Sequence, residues 1–405
     1  MILNDNIFEL TPEQLKEIAL ALKAETEKGL AQNDMQVQCL PTYINPNKNI
    51  SQGKALVLDL GGTNYRAAIV EFIDGKPHIH PENGFKKDLS KMKDAGFTRE
   101  NLFKEIADLI SELNLDGVKS IGYCFSYPAE PALSGDAKLL RWTKGVDIKE
   151  MVNENVGEPL MKYLNDNLEK AQFTNINVIN DTIASLFSGL TDRDAQAHIG
   201  LIVGTGTNMA TFIHSDKIAK LNPEYTQKGL VPINLESGNF VPPYLTAIDE
   251  TVDSLSDSAG RQRFEKAVSG MYLGEILKAV FPNDRFEAKF DAQKLTTIMN
   301  YPDIHKEQYV RVARQIYQRS AKLVAASLAG LTLALISHDG SIKKVCLTAE
   351  GSLFWSHDDC DTDYNKIVLD ELHKLLGEFG YGEVRVNIPQ QENANLIGSA
   401  VAALS

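Results

Sequence analysis

The 405-residue chain lacks the basic clusters and leader segment that mark two large classes of protein. It has no run of lysine or arginine, and its formal net charge of -13 at pH 7 argues against broad nucleic-acid binding. Its first residues, MILNDNIFELTPEQLK, contain no basic segment that leads into an apolar stretch, so they do not resemble a secretory signal. We therefore expect a cytoplasmic protein that binds no nucleic acid.

Long apolar runs and metal-binding spacings are also missing. The longest apolar stretch, LVAASLAGLTLALI at 323–336, is too short to span a bilayer, so it predicts a buried helix and no membrane partner. The four cysteines share no C-x-x-C spacing, which favours reduced thiols, and the eight histidines form no H-x-x-x-H pair.

Length and hydrophobic content set the scale of the fold. With 405 residues, 43% of them hydrophobic, the chain can bury a sizeable core, and this length favours two domains. No low-complexity linker separates two halves, so the boundary is predicted to be a helical or strand crossover. A cleft between the domains is the expected place for a ligand.

Two similar segments each place a glycine turn between apolar strands. LVLDLGGTNYRAAIV lies at 56–70, and IGLIVGTGTNMATFI lies at 199–213. A two-residue hairpin would need only a pair such as Asn-Gly between its strands, and the first turn contains more residues than that. A P-loop would continue into a helix instead of a second strand. The G-T-N triplets repeat in the same context. The pattern predicts two similar domains that present glycine turns to one cleft.

The residue types in these turns suit a polyphosphate ligand. Glycine lets the backbone approach an anion, and successive N–H groups form a concave site for phosphate oxygens. Asp59 could face Mg²⁺ through water, and Arg66 could counter phosphate charge. A plain tight turn between strands explains each glycine equally well, so the residues alone leave both interpretations open.

Other polar residues suit a ligand rich in hydroxyl groups. Ser126, Thr143 and Lys144 surround a strand end and a loop, although ordinary loop polarity would produce the same pattern. Asp181 follows a strand and precedes a helix, where an aspartate is either an N-cap or a general base. The sequence also contains glutamates that could accept hydrogen bonds from hydroxyls and a glycine turn that could pack against a flat ring, at Glu236, Glu265 and 348–352.

Taken in order, these pieces resemble the hexokinase family, including glucokinases of the eukaryotic type. The resemblance runs from about residue 40 to 354, with a weaker likeness in the last helix. The segments that carry it are LPTY (40–43), LDLGGTNYR (58–66), FSYP (125–128), WTKG (142–145), INDT (179–182), GTGTN (204–208), INLESGNF (233–240), FEKAVSGMYLGEIL (264–277) and AEGSLF (349–354).

The resemblance implies an actin-like ATPase fold of the ribonuclease H-like type. It has two α/β lobes, each with a mixed five-stranded sheet flanked by helices, and the cleft between them holds a hexose and Mg-ATP. The small lobe is expected to span 54–180 plus 392–405, and the large lobe 1–53 plus 181–391. The implied activity is phosphorylation of the 6-hydroxyl of glucose, with mannose or fructose as further substrates.

The family's site residues map onto this chain one by one. Asp181 is implied to be the general base, with Lys144 assisting, and Asp59 is implied to reach magnesium through water. The implied sugar-binding residues are Ser126, Thr143, Lys144, Asn180, Asp181, Asn208, Glu236 and Glu265. The implied nucleotide-binding residues are Asp59, Gly61, Gly62, Thr63, Asn64, Arg66, Gly204, Thr205, Gly206, Gly351 and Ser352.

The chain departs from the family pattern beside these residues. Ser237 stands where the family usually has tryptophan, and Ala129 and Pro131 stand where cysteine and glutamine are common. These departures bear on which sugar is preferred. Two alternatives therefore stay open: a hexose-binding sensor that has lost turnover, and a kinase of the same fold that acts on another sugar.

Overall fold

Helices begin at the capping signals that the sequence places at residues 11 and 98. In the computed structural model, which describes residues 7–47, 49–61, 64–88, 90–357, 363–389 and 391–405, Thr11 and Thr98 both form capping boxes. The first two helices therefore begin where a threonine side chain satisfies a backbone N–H group that the helix itself leaves unpaired. The helices are α1 (Pro12–Ala31), α2 (Arg99–Ile110), α3 (Glu158–Asn167), α4 (Asp181–Ser188), α5 (Ala247–Ser254), α6 (Arg263–Val268), α7 (Gly270–Val280), α8 (Ala292–Asn300), α9 (Glu307–His338), α10 (Tyr364–Glu378) and α11 (Ala394–Ala403).

Strands form where the predicted apolar runs lie, and the central ones are buried on both faces. In β2, for example, six successive residues are buried because helices cover the sheet on both sides. The strands are β1 (Leu40–Pro41), β2 (Gly53–Leu60), β3 (Asn64–Ile73), β4 (Lys76–Asp88), β5 (Ser120–Phe125), β6 (Ala129–Pro131), β7 (Ala137–Leu139), β8 (Asn175–Ile179), β9 (Ala197–Val203), β10 (Thr207–His214), β11 (Leu230–Asn234), β12 (Lys344–Glu350) and β13 (Arg385–Asn387).

The two large sheets share one topology. The first has the order β4-β3-β2-β5-β8, and the second has β11-β10-β9-β12-β13 with β1 added at its edge. In each sheet three antiparallel strands are followed by two parallel ones. The two glycine turns occupy equivalent positions, between β2 and β3 and between β9 and β10. The duplicated fold predicted from the sequence is confirmed, although the second sheet has six strands and not five.

Two helices pack between the sheets. α11 packs on β2, β5 and β8, α4 packs on β9 and β10, and the two helices contact each other. Their approach is close, because a Cβ atom at Gly398 would lie 1.7 Å from the Ala184 carbonyl oxygen. The Asn177 amide in β8 also donates to the Ala402 carbonyl at 2.6 Å. These contacts join α11 to the first sheet, whereas the predicted lobe boundaries stay a prediction.

The 32-residue helix α9 contains the apolar stretch at 323–336. By length and composition alone this helix could cross a membrane, but 89% of its most apolar window is buried inside the protein. α9 packs against α1 and α10, and the Arg319 guanidinium forms a buried ion pair with Asp249 of α5 at 2.7 Å. The buried helix predicted for this stretch is confirmed.

Candidate active site

The first glycine turn joins β2 to β3. The Gly61 N–H donates to the Asn64 carbonyl (3.0 Å), and the Tyr127 hydroxyl donates to the Gly61 carbonyl (3.0 Å). Gly62 and Thr63, predicted to belong to this turn, lie outside the described residues. A turn held in this way can present backbone N–H groups to an anion.

Asp59, predicted to bind magnesium through water, and Arg66, predicted to bind phosphate, contact each other in this structure. They are opposite residues of β2 and β3, and Arg66 Nε and Nη2 donate to Asp59 Oδ2 at 3.0 and 2.6 Å. Arg66 Nη1 also donates to Asn393 Oδ1 at 3.2 Å. Because its charge is shared with Asp59, Arg66 alone cannot fully neutralise a phosphate at this turn.

A second cation stands beside Arg66 on the next strand. Lys86 of β4 is the antiparallel partner of Arg66, so both side chains lie on the same face of the sheet. Lys87 lies on the opposite face, where it forms an ion pair with Glu105 of α2. Lys86 is exposed and has no ion pair with any residue that the structure describes. Like charges opposite each other are destabilising, and a bound anion would remove that cost.

The second glycine turn lies between β9 and β10 and is held by the start of α7. The Gly204 N–H donates to the Gly206 carbonyl at 2.9 Å, which closes the turn. The N–H groups of Gly270 and Met271 donate to the Gly204 and Thr205 carbonyls at 2.7 and 3.2 Å. The side chain of Thr205 is left exposed at the tip of the turn.

Gly351 connects this turn to the segment predicted to bind adenosine. Its φ is +114°, and a Cβ atom there would lie 2.3 Å from the Val203 carbonyl oxygen, so only glycine fits. A cavity of about 1650 Å³ opens beside the two segments, and its lining includes Gly204, Thr205 and Ser352. The eight predicted sugar residues are all described, and none of them lines this cavity.

Asp181 begins α4 at the end of β8. The N-cap of this helix is Asn180, whose Oδ1 accepts the Ile183 N–H at 2.8 Å, so Asp181 is not the capping residue. Burial raises the pKa of the Asp181 carboxyl, while the Lys144 ammonium and the Thr182 N–H lower it. The pKa of Asp181 therefore reflects two opposing effects, its burial and a neighbouring cation.

Lys144 lies in the loop after β7. Its ammonium donates to the Ser126 carbonyl at 2.8 Å and lies 5.1 Å from the centre of the Tyr127 ring. Trp142 packs edge-on against Tyr127 at 4.7 Å between ring centroids, and its indole N–H donates to the Ile148 carbonyl at 2.8 Å. Aromatic packing thus holds the loop that carries Thr143 and Lys144 beside the end of β5.

Two predicted sugar residues of the second sheet are joined by an asparagine. Asn208 Nδ2 donates to Asn234 Oδ1 at 2.7 Å, and Asn234 Nδ2 donates to Glu236 Oε1 at 2.7 Å. Burial raises the pKa of Glu236, Asn234 lowers it, and the Asp181 carboxylate adds to the rise. Asp181 follows β8 of the first sheet and Glu236 follows β11 of the second, so the charge of a residue beside one sheet affects a residue beside the other.

Glu265 of α6 lies on the other side of the second glycine turn. Its Oε2 accepts the Thr207 N–H at 3.0 Å, and a Cβ atom at Gly206 would lie 2.5 Å from the same oxygen. Burial raises the pKa of Glu265, and the Glu236 carboxylate adds to the rise. Glu236 is therefore within electrostatic range of both Asp181 and Glu265.

Sequence reasoning missed Lys86 and Asn234. Lys86 stands among several lysines, and only the pairing of β3 with β4 shows which of them adjoins Arg66. Asn234 lies two residues before Glu236 in INLESGNF, so its strand position could have indicated a shared face. Nothing in the sequence pattern indicates its contact with Asn208.

Comparisons with known proteins agree with this arrangement. Two family models described as hexokinase match the chain, one over residues 4–190 and the other over residues 198–297 and 282–405. Human hexokinase HKDC1 is 32% identical over 289 residues, which cover 68% of this chain and 31% of that protein. The chain thus spans about a third of the length of the first mammalian relatives.

Two further relatives match over nearly their whole length. Hexokinase-7 of Oryza sativa subsp. japonica is 28% identical over 448 residues, covering 96% of this chain and 93% of that protein. A solved hexokinase from Schistosoma mansoni, complexed with glucose, has a TM-score of 0.77 and 27% identity, covering 98% of this chain and 97% of that one. With both family models matched in order across both sheets, the chain belongs to the hexokinase family.

Proposed function

We propose that this protein transfers the γ-phosphoryl group of ATP to the 6-hydroxyl of a hexose, with glucose as the first substrate to test. The observation that carries the proposal is the position of Asp181, a half-buried carboxylate that does not cap its helix and is balanced by Lys144. A general base works best when its pKa lies near the working pH. Burial raises the pKa of Asp181 towards that range, and Lys144 limits the rise.

In the proposed reaction, Asp181 accepts the proton of the 6-hydroxyl. The hydroxyl oxygen then bonds to the γ-phosphorus as the bond to the leaving ADP breaks. Positioning and charge neutralisation supply most of the catalysis of phosphoryl transfer. The side chains proposed to hold and orient the hexose are Ser126, Thr143, Lys144, Asn180, Asn208, Glu236 and Glu265.

The nucleotide is proposed to lie between the two glycine turns, with its phosphates on the turns and its base in the adjoining cavity. The cavity volume of about 1650 Å³ is ample for a nucleotide. Lys86 beside the first turn and Lys289 in the cavity lining are cations that could meet the phosphates. Gly351 and Ser352 support the end of the cavity where the adenosine is expected.

Magnesium fits the donor set at Asp59. Mg²⁺ prefers oxygen ligands and keeps several waters, and Asp59 Oδ1 is not used in the ion pair with Arg66. No cluster of three acidic, histidine or cysteine residues in the described part of the chain could hold the ion directly. We propose that Asp59 holds it through water. When bound, the ion neutralises charge on the phosphates.

A coupled assay of ADP release tests the proposed function. The purified protein is given Mg-ATP with glucose, mannose, fructose, galactose or N-acetylglucosamine, and the phosphorylated product is identified. Sugar-dependent ADP release with a 6-phosphate product is the expected result, and its rates rank the substrates. Measurable glucose binding without any turnover would overturn the proposal and favour a sensor, whereas turnover of another sugar alone would correct the substrate.

A further inference from the structure

Asn234, at the end of β11, controls the hydrogen-bonding direction of two proposed sugar residues. It is buried, with 8% of its surface exposed, and its two 2.7 Å hydrogen bonds reach Asn208 and Glu236. The Glu236 carboxylate can only accept a hydrogen bond when it is ionised, so it must face the Asn234 NH₂ group. Asn234 Oδ1 then accepts hydrogen bonds from the Asn208 NH₂ group and from the Glu236 N–H, the latter at 3.4 Å.

This chain of contacts leaves Asn208 able only to donate to a ligand. Its Oδ1 already accepts the N–H groups of Met209 at 2.8 Å and Ser237 at 3.1 Å. The second hydrogen of its NH₂ group remains for a ligand. Glu236 Oε2 makes no hydrogen bond with the part of the chain that the structure describes, so it remains an acceptor. The pair therefore offers one donor and one acceptor.

We propose that Asn234 is a positioning residue that fixes this donor–acceptor pair, and that the pair selects sugars with two neighbouring hydroxyl groups. One hydroxyl accepts from Asn208 while the other donates to Glu236. The inference rests on the proposed hexose site, because it assigns these two residues to the same ligand. It predicts that Asn234 governs hexose affinity without touching the hexose.

Asn234→Asp tests this role, since it keeps the shape and removes the hydrogen-bond donor that faces Glu236. Asn177→Asp is the matched control: Asn177 is also 8% exposed in a sheet, but its amide donates to the Ala402 carbonyl of α11, which is not a proposed sugar residue. Glucose and 2-, 3- and 4-deoxyglucose are titrated by calorimetry into both variants and the unsubstituted protein. The KM values for glucose and Mg-ATP and the melting temperatures are also measured.

We expect Asn234→Asp to weaken glucose binding by at least about tenfold, the scale of a lost hydrogen bond to a charged group. One deoxyglucose will bind the unsubstituted protein most weakly. Asn234→Asp should change the Kd of that sugar much less than the Kd of glucose, because the sugar already lacks the hydroxyl that contacts the Asn208–Glu236 pair. The KM for Mg-ATP should stay within about twofold. Asn177→Asp should lower the melting temperature and leave glucose affinity within about twofold.

Equal weakening of glucose and all three deoxyglucoses by Asn234→Asp would overturn the inference, because it would indicate general disruption. Unchanged glucose affinity would overturn it as well. If Asn234→Asp does not fold, Asn234→Ser replaces it under the same criteria. A protein that binds glucose without turnover would refute phosphorylation alone, whereas one that binds no hexose would overturn both proposals.

Discussion

At the scale of single residues, Asp181 carries the proposed chemistry most directly. Asp181→Asn keeps the shape of the side chain and the Asn180 cap, but removes the base. We expect kcat to fall by at least about 10²-fold, the lower range for lost general base catalysis. Glucose affinity and melting temperature, measured on the same preparation, should change little. Near-normal turnover by the folded variant would contradict the assignment.

The pH dependence of turnover should depend on Lys144. The base acts when deprotonated, so kcat is expected to fall as the pH drops through the pKa of Asp181. Lys144 lowers that raised pKa, so Lys144→Met should move the acidic limb of the kcat profile to higher pH, besides slowing turnover. Lys149→Met, an exposed lysine near the same loop, is the control. An unshifted acidic limb would argue against electrostatic contact between Lys144 and Asp181.

Lys86 and Lys87 offer a comparison between the two faces of β4. Lys86→Met should raise the KM for Mg-ATP by roughly fivefold or more with little change in the KM for glucose, because it removes the uncommitted cation beside Arg66. Lys87→Met removes an ion pair with α2 and should leave both KM values nearly unchanged. Equal effects of the two changes would refute a phosphate contact by Lys86.

A site residue could be predicted from the sequence when its role depends on its neighbours in the chain. Asn180 and Asp181 were recognised from the order strand, carboxylate, helix, but only the hydrogen bond to Ile183 shows which of them caps α4. Asn234 could not be assigned, because its role depends on its contact with Asn208 in a neighbouring strand. The cysteines at 39, 124 and 346 are free and buried, as expected, whereas Cys360 lies outside the described residues.

At the scale of elements, the turn at Gly351 should control nucleotide binding. Gly351→Ala places a Cβ atom 2.3 Å from the Val203 carbonyl and forces a strained φ, so the second glycine turn must shift. We expect the KM for Mg-ATP to rise at least about tenfold, more than the KM for glucose. Gly340→Ala, where nothing lies within 4 Å, is the matched control and should behave normally. Unchanged ATP use by Gly351→Ala would show that the turn tolerates displacement.

Elements with strong local signals were predicted from the sequence, whereas those created by tertiary pairing were not. The apolar runs on either side of the first glycine turn, for example, predicted β2 and β3. β1 has only two residues and exists because Leu40 and Pro41 pair with the edge of β11. No local pattern in a two-residue segment can predict such a strand.

At the scale of the whole molecule, the proposed hexose residues come from both sheets. Ser126 and Asn180 follow strands of the first sheet, while Asn208 lies in a strand of the second sheet and Glu236 follows one. Simultaneous contact favours closure of the cleft, so glucose should lower the radius of gyration in small-angle scattering from about 21 Å, the value expected for this length. L-glucose serves as the control, and an unchanged radius at saturating D-glucose would contradict closure.

The duplicated topology was predictable because both copies retain a glycine turn between apolar strands. Their packing through α4 and α11 was not predictable, because it depends on close backbone approach at Gly398. The cytoplasmic location and the absence of nucleic-acid and membrane partners stay predictions, based on net charge and on the pattern of apolar residues.

The position of α11 has a consequence for biosynthesis. The first sheet is complete in sequence by Ile179, yet residues of β2 such as Ala55 and Val57 are buried partly by α11, which follows about 200 residues later. At a synthesis rate of about 5–20 residues per second, α11 is made roughly 10 to 40 s after the first sheet, and the apolar face of that sheet stays uncovered until then. The sheet that is made first is therefore covered last, and during that interval its exposed apolar face can bind a chaperone.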